Sequence, residues 1–187
     1  MRIISGKYRG LKLAEFAGAE IRPTADRVKE SLFNILSAHI AGAHVLDLFC
    51  GSGNLGIECL SRGAESVCFN DLSADSISVL KKNLSRLKGA ENYKVFNLDF
   101  SACLARLNGF KDADGNGGAF DLIFIDPPYR LEAGVSALEI IGKNKLLKAG
   151  GIAVYERDRS FCGEVAGLEK YDERKYGKTF ITFFKNA

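Results

Sequence analysis

Apolar positions change period along the chain. Val28, Leu32, Ile35, Leu36 and Ile40 recur at i, i+4, i+7, i+8 and i+12, one face of a helix. Arg22-Pro23-Thr24 marks its start, with Thr24 able to cap and Pro23 just before it. Arg27, Lys29, Glu30 and Asn34 fall on other faces. From residue 44 short apolar runs alternate with helical patterns. Residues 44–49, 65–70, 93–98, 120–125 and 151–156 read as strands. Residues 54–62, 73–87, 99–107 and 132–141 read as helices, and 160–166 as a weak one. Ile77, Leu80, Leu84 and Leu87 form the apolar stripe of the second of these. Two more strands, near 169–176 and 179–184 and joined at Gly177-Lys178, close the pattern.

Strands alternating with helices predict an α/β fold with a doubly wound, mostly parallel sheet. Nearly continuous apolar strands predict a sheet covered on both faces. Seven strands are counted. A tight turn makes the last two antiparallel, so an antiparallel C-terminal hairpin is expected at an edge. The opening RIISGKYRGLKLAEF, broken by Gly6 and Gly10, reads as a small β-hairpin extension. Residues 1–21 are expected to form that extension and 22–187 the main domain. The Gly- and Asp-rich stretch 108–118 is a surface loop.

Of the 187 residues, 47% are hydrophobic and 26% charged, enough to bury a core and unlike a disordered chain. No apolar run reaches ~18 residues, which argues against a membrane-spanning helix. The first twelve residues hold two isoleucines between basic residues, too few for a signal peptide, so the cytoplasm is the expected compartment. The five cysteines (50, 59, 68, 103 and 162) form no CxxC pair and the two histidines no cluster. Reduced thiols and no metal are expected; His39 and His44 are read as structural. The net charge of +3 permits a nucleic-acid partner without demanding one. Its distribution says more: residues 1–12 carry Arg2, Lys7, Arg9 and Lys12 and no acid.

Four segments carry candidate chemistry. Asp47-Leu-Phe-Cys-Gly51-Ser-Gly53-Asn-Leu-Gly56 holds GxGxxG at a strand-to-helix junction. Such glycines admit a ligand close to the backbone and to the helix N–H groups. Asp47 repels a pyrophosphate and suits a cationic ligand, which favours S-adenosylmethionine over a nicotinamide dinucleotide; the plainer alternative is an Asp that braces the loop. Asp71 ends the second strand, twenty residues after Gly51, where a carboxylate can take both hydroxyls of a ribose. Leu72 beside it can lie against adenine. Asp99 can accept from the adenine amino group or cap the following helix. Asp126-Pro127-Pro128-Tyr129 follows the apolar LIFI, where open α/β sheets bind ligands. Its prolines offer no N–H, leaving acceptors beside an aromatic ring. That suits a planar substrate with an exocyclic amine, stacked on Tyr129.

These residues resemble class I S-adenosylmethionine-dependent methyltransferases with a (D/N)PPY motif. RIISGKYRGLKL, RPTADRVKESLFNIL, DLFCGSGNLGIECLSRGA, DPPY and YGKTFITFF together resemble the RsmD family, the bacterial 16S ribosomal RNA guanine-N2 methyltransferases. That resemblance implies a cofactor loop of Asp47, Phe49, Cys50, Gly51 and Gly53. It implies Asp71 and Leu72 at the ribose and Asp99 and Phe100 on the adenine side. Asp126, Pro127, Pro128 and Tyr129 would hold the guanine, and Arg2, Lys7, Arg9, Arg22 and Arg27 would face ribosomal RNA. Asp71 stands where the family commonly has Glu; the shorter carboxylate still reaches. Rival readings are an N6-adenine or glutamine-amide methyltransferase using the same turn, a nicotinamide oxidoreductase, and a non-catalytic RNA-binding factor.

Overall fold

The computed structural model describes residues 1–15, 23–108, 118–128 and 133–187, the side chains of 23–26 excepted. Arg22, Tyr129 and most of the 108–118 loop lie outside these residues. The chain divides into two compact units, Met1–Asn97 and Leu98–Ala187.

The first unit opens with residues 1–15. A single antiparallel bridge joins Arg2 to Lys12, extended by Ile3 N–H to Leu11 O (3.0 Å) and Leu13 N–H to Met1 O (3.0 Å). Ile3 and Leu13 point inward, and the tight turn between them leaves too few paired residues for regular strands. Helix α1 (Pro23–Ile35) starts at Pro23 itself, the first-turn position where the missing N–H of proline costs nothing. Thr24 is therefore inside the helix and not its cap. Leu32, Leu36 and Ile40 are buried as the period predicts, but Ile35 is 39% exposed and Phe33 takes the core position, under the Arg62 guanidinium at 4.8 Å.

Strand β1 (His44–Asp47), helix α2 (Asn54–Ser61), strand β2 (Ser66–Asn70), helix α3 (Ala74–Leu84) and strand β3 (Tyr93–Phe96) follow. β1 pairs with β2 and β2 with β3, both parallel. Val45, Leu46, Val67 and Phe69 are fully buried, as expected for a sheet covered on both faces. Ser73 caps α3, its Oγ accepting from Ser76 N–H at 3.3 Å. The four predicted leucine and isoleucine positions of the α3 stripe are all buried.

The second unit holds helix α4 (Phe100–Leu107), strand β4 (Phe120–Ile125), helix α5 (Ala133–Lys143), strand β5 (Leu147–Arg157), strand β6 (Leu168–Tyr176) and strand β7 (Thr179–Asn186). β4 and β5 are parallel, while β7 runs antiparallel between β5 and β6. The strand order is β3-β2-β1-β4-β5-β7-β6, seven strands in one sheet. The predicted weak helix at 160–166 is absent. The Phe161 N–H goes to the Glu173 carboxylate (2.9 Å), which also accepts from Ser160 Oγ (2.6 Å) and Thr182 Oγ1 (2.8 Å). Gly163, at φ +140°, cannot belong to a right-handed helix, and Phe161 packs edge-on against Tyr155 and Phe184 instead.

Candidate active site

The glycine segment turns sharply from β1 into α2. Gly53 holds φ +85°, and a Cβ on it would stand 2.3 Å from Leu80 Cδ1. Gly56 packs so tightly on β2 that a Cβ would lie 2.3 Å from the Phe69 ring. Conformation and close approach therefore both demand glycine here. Gly51, at φ +53°, has no other residue's atom within 4 Å of its missing side chain, so this corner is open.

Asp47 ends β1 at 2% exposure, and its Oδ2 accepts the Gly56 N–H at 2.9 Å. The bracing role is the one its contact displays. Burial pushes its carboxyl up to about 7, against the lowering effect of that bond, with the Asp71 charge adding to the rise. Asp71 ties two loops together: Oδ2 takes the Gly51 N–H (2.8 Å) and Oδ1 the Ser73 N–H (2.9 Å). Each oxygen keeps a second lone pair for a further donor. Leu72 beside it is 70% exposed, an unusual place for a leucine side chain with no apolar cover. Cys50 is buried, and its N–H bonds the Asn70 carbonyl at 2.9 Å; Phe49 is half-buried in the same turn.

In the second unit, Asp99 is the cap of α4. Its Oδ1 accepts from the hydroxyl and the N–H of Ser101, and these bonds hold its carboxyl below the ordinary range. Phe100, half-buried, opens the helix. At the carboxyl end of β4, Asp126 is half-buried, Pro127 buried and Pro128 exposed. Neither proline of this corner carries an N–H, so beyond Asp126 its backbone offers only acceptors.

Arg2, Lys7, Arg9 and Arg27 are exposed on the first unit. Sequence reasoning missed what holds them. Lys29, expected on a solvent face, is 3% exposed and pairs with the fully buried Glu58 at 2.9 Å. Burial pushes the Glu58 carboxyl up, but the Lys29 charge, the Ile4 N–H and bonds from Lys29 and Arg62 outweigh it and hold it low. Asn83, fully buried, bonds the Ser52 carbonyl (2.9 Å) and both backbone groups of Ala14. Asn97 donates to the carbonyls of Asp71 (2.8 Å) and Leu72 (2.9 Å). A Glu inside the apolar α2 and an Asn within the α3 stripe were readable as signals, since a buried polar group needs a partner. Among the described residues, no cluster of His, Cys, Asp or Glu side chains could hold a metal ion, and no helix is long and apolar enough to cross a membrane.

A parallel sheet with an antiparallel C-terminal hairpin, a glycine corner after β1 and an acidic residue after β2 define a class I, Rossmann-like methyltransferase. Comparison with known proteins narrows the class. The model of the family described as "Conserved hypothetical protein 95" matches residues 1–185, and the chain belongs to that family, the RsmD family. Ribosomal RNA small subunit methyltransferase D of Haemophilus influenzae is 38% identical over 160 residues, 85% of this chain and 79% of that one. Its Escherichia coli namesake is 39% identical over 142 residues, 74% and 67% respectively. The solved Escherichia coli protein yhhF superposes with a TM-score of 0.82 at 31% identity, covering 100% of this chain and 97% of its own.

Proposed function

We propose that the protein transfers a methyl group from S-adenosylmethionine to the exocyclic N2 of a guanine in small-subunit (16S) ribosomal RNA, in the cytoplasm. The observation that carries this reading is the acceptor-rich corner Asp126-Pro127-Pro128 at the carboxyl end of β4. The naming of the Haemophilus and Escherichia relatives for small-subunit ribosomal RNA supports the substrate. The resemblance to guanine-N2 enzymes supports the acceptor atom.

The first unit fits the donor molecule. The open corner at Gly51, the Asp71 carboxylate with its spare lone pairs, the bare Leu72 side chain and the Asp47 carboxylate form an acceptor set for hydroxyls, an apolar ring and a cation. Asp99 and Phe100 are assigned the adenine edge, with Asp99 accepting from that amine beside its bonds from Ser101. S-adenosylmethionine supplies a methyl group on a sulfonium. The guanine amine is a poor nucleophile because its lone pair is delocalised into the ring. Asp126 and the Pro127 carbonyl accept its hydrogens, turn the lone pair toward the methyl carbon and favour the positive charge that develops on N2. The bound cofactor would supply the methyl carbon for the new N–C bond and would keep the electron pair of its broken C–S bond on sulfur. The N2 proton then passes to Asp126, once methylation has made N2 acidic. Alignment supplies most of the rate gain, and the role of stacking on the base is assigned to Tyr129. The target is unpaired or flipped out at a cost of a few kcal/mol. Exposed Arg2, Lys7, Arg9 and Arg27, with Arg22, meet the RNA backbone.

The test is turnover of labelled cofactor on unmethylated small subunits. Asp126→Ala is expected to abolish transfer while S-adenosylmethionine affinity stays within a few-fold; turnover like the wild type contradicts the assignment.

A further inference from the structure

A pair of buried charges that the reaction does not use lies under the first residues of the chain. Lys29 and Glu58 meet at 2.9 Å. Lys29 Nζ also donates to the Arg2 carbonyl (3.2 Å) and Asn54 Oδ1 (2.8 Å). Glu58 accepts the N–H groups of Ile4 and Ser5, each at 2.9 Å. The backbone of residues 2–5 is thus fastened by three bonds to the buried side chains of Lys29 and Glu58, which themselves cannot move without unpairing a charge. The same stretch lines a cleft of about 200 Å³, completed by Arg9, Gly10 and Glu30. Arg2, Arg9 and Glu30 are exposed, Ile3 is buried, and nothing lies within 4 Å of where a Gly10 side chain would begin.

The lining is chemically mixed in a specific way. Two guanidinium forks match phosphate oxygens. One carboxylate, Glu30, matches the amino edge of a base. Ile3 and Ile4 give a base an apolar wall. The volume is below that of a site for a drug-sized ligand and suits a single small unit. We propose that this cleft takes one unpaired nucleotide of the RNA substrate, with its phosphate on Arg2 and Arg9 and the amino edge of its base, guanine first, on Glu30. The proposal rests on the RNA reading above, but none of the cleft's residues belongs to the acceptor corner, so it describes a second nucleotide contact. Guanine is preferred because its N1–H and N2–H lie side by side and meet both oxygens of one carboxylate, which uracil cannot do.

The experiment titrates the ¹⁵N-labelled full chain with guanosine 5′-monophosphate, uridine 5′-monophosphate and inorganic phosphate, each followed by amide shifts. The guanine nucleotide is expected to shift the amides of Ile3, Ile4, Gly10 and Glu30 saturably, about tenfold more tightly than the uridine nucleotide. Glu30→Gln is expected to bring the two nucleotides level, and Arg9→Ala to weaken all three probes. No shift at those amides, or equal binding of the three probes to the wild type, overturns the proposal. If the cleft behaves as described but no methylated guanine is found in RNA treated with the enzyme, the catalytic reading fails and the cleft stands; methylated guanine with a silent cleft fails the cleft alone.

Discussion

Asp47 shows what burial does to a carboxylate. Its carboxylate braces α2 through Gly56 while sitting 2% exposed, and its folded value of about 7 lies above the ordinary 3.8. A raised carboxyl favours the protonated form in the folded state, so its contribution to stability is complete below about pH 4 and is lost as pH rises through 7. Asp47→Asn is expected to flatten that loss by about 2 kcal/mol between pH 5 and pH 8, read from urea midpoints; an unchanged pH dependence contradicts the assignment. Asp71→Ala is expected to weaken S-adenosylmethionine binding by tenfold or more in calorimetry, since it removes the proposed ribose acceptor and the tie on Gly51 together. These residues were legible in the sequence because spacing from a strand end fixes where a carboxylate stands. The bracing bond of Asp47 and the capping bond of Asp99 were among the alternatives the sequence offered; the two N–H bonds of Asp71 were not, because a carboxylate that can bind a ligand can equally bind a neighbouring N–H.

Elements were legible where apolar periodicity was long and illegible where one tertiary contact decided. The stripe of α3 fixed that helix, whereas residues 160–166 were claimed by the Glu173 carboxylate on a neighbouring strand. Burial raises the Glu173 carboxyl, but bonds from Ser160, Phe161, Thr182 and Lys170 outweigh it and bring it down to about 2. Its folded value is depressed, so the stability it adds is present above about pH 4.5 and is lost as pH falls toward 2. Glu173→Gln is expected to lower the thermal midpoint at pH 7 and to leave the two proteins alike near pH 2; equal midpoints at pH 7 contradict this. Glu58 fastens α1, α2 and residues 1–15 together. Glu58→Gln strands the buried Lys29 charge and is expected to cost about 3–5 kcal/mol in urea unfolding; a loss under ~1 kcal/mol means the pair is not held as described.

Across the whole chain, sequence order alone gave the class of fold, because alternating strands and helices allow few topologies. It gave half a warning of the buried Lys29–Glu58 pair: a Glu inside the apolar α2 signals a partner, but a lysine on a helix normally faces water, so Lys29 was not legible as that partner. The exposed basic residues of 1–12 predict a salt-dependent grip on RNA: Lys7→Glu with Arg9→Glu is expected to weaken RNA binding and to flatten its dependence on salt. Methylation of guanine N2 is the proposed reaction. The most direct measurement treats small ribosomal subunits from a strain lacking the enzyme with the purified protein and S-adenosylmethionine, then identifies the modified nucleoside by mass spectrometry. One added N2-methylguanosine in 16S RNA, absent with Asp126→Ala, is the predicted result; N6-methyladenosine, or no methylated nucleoside at all, contradicts it.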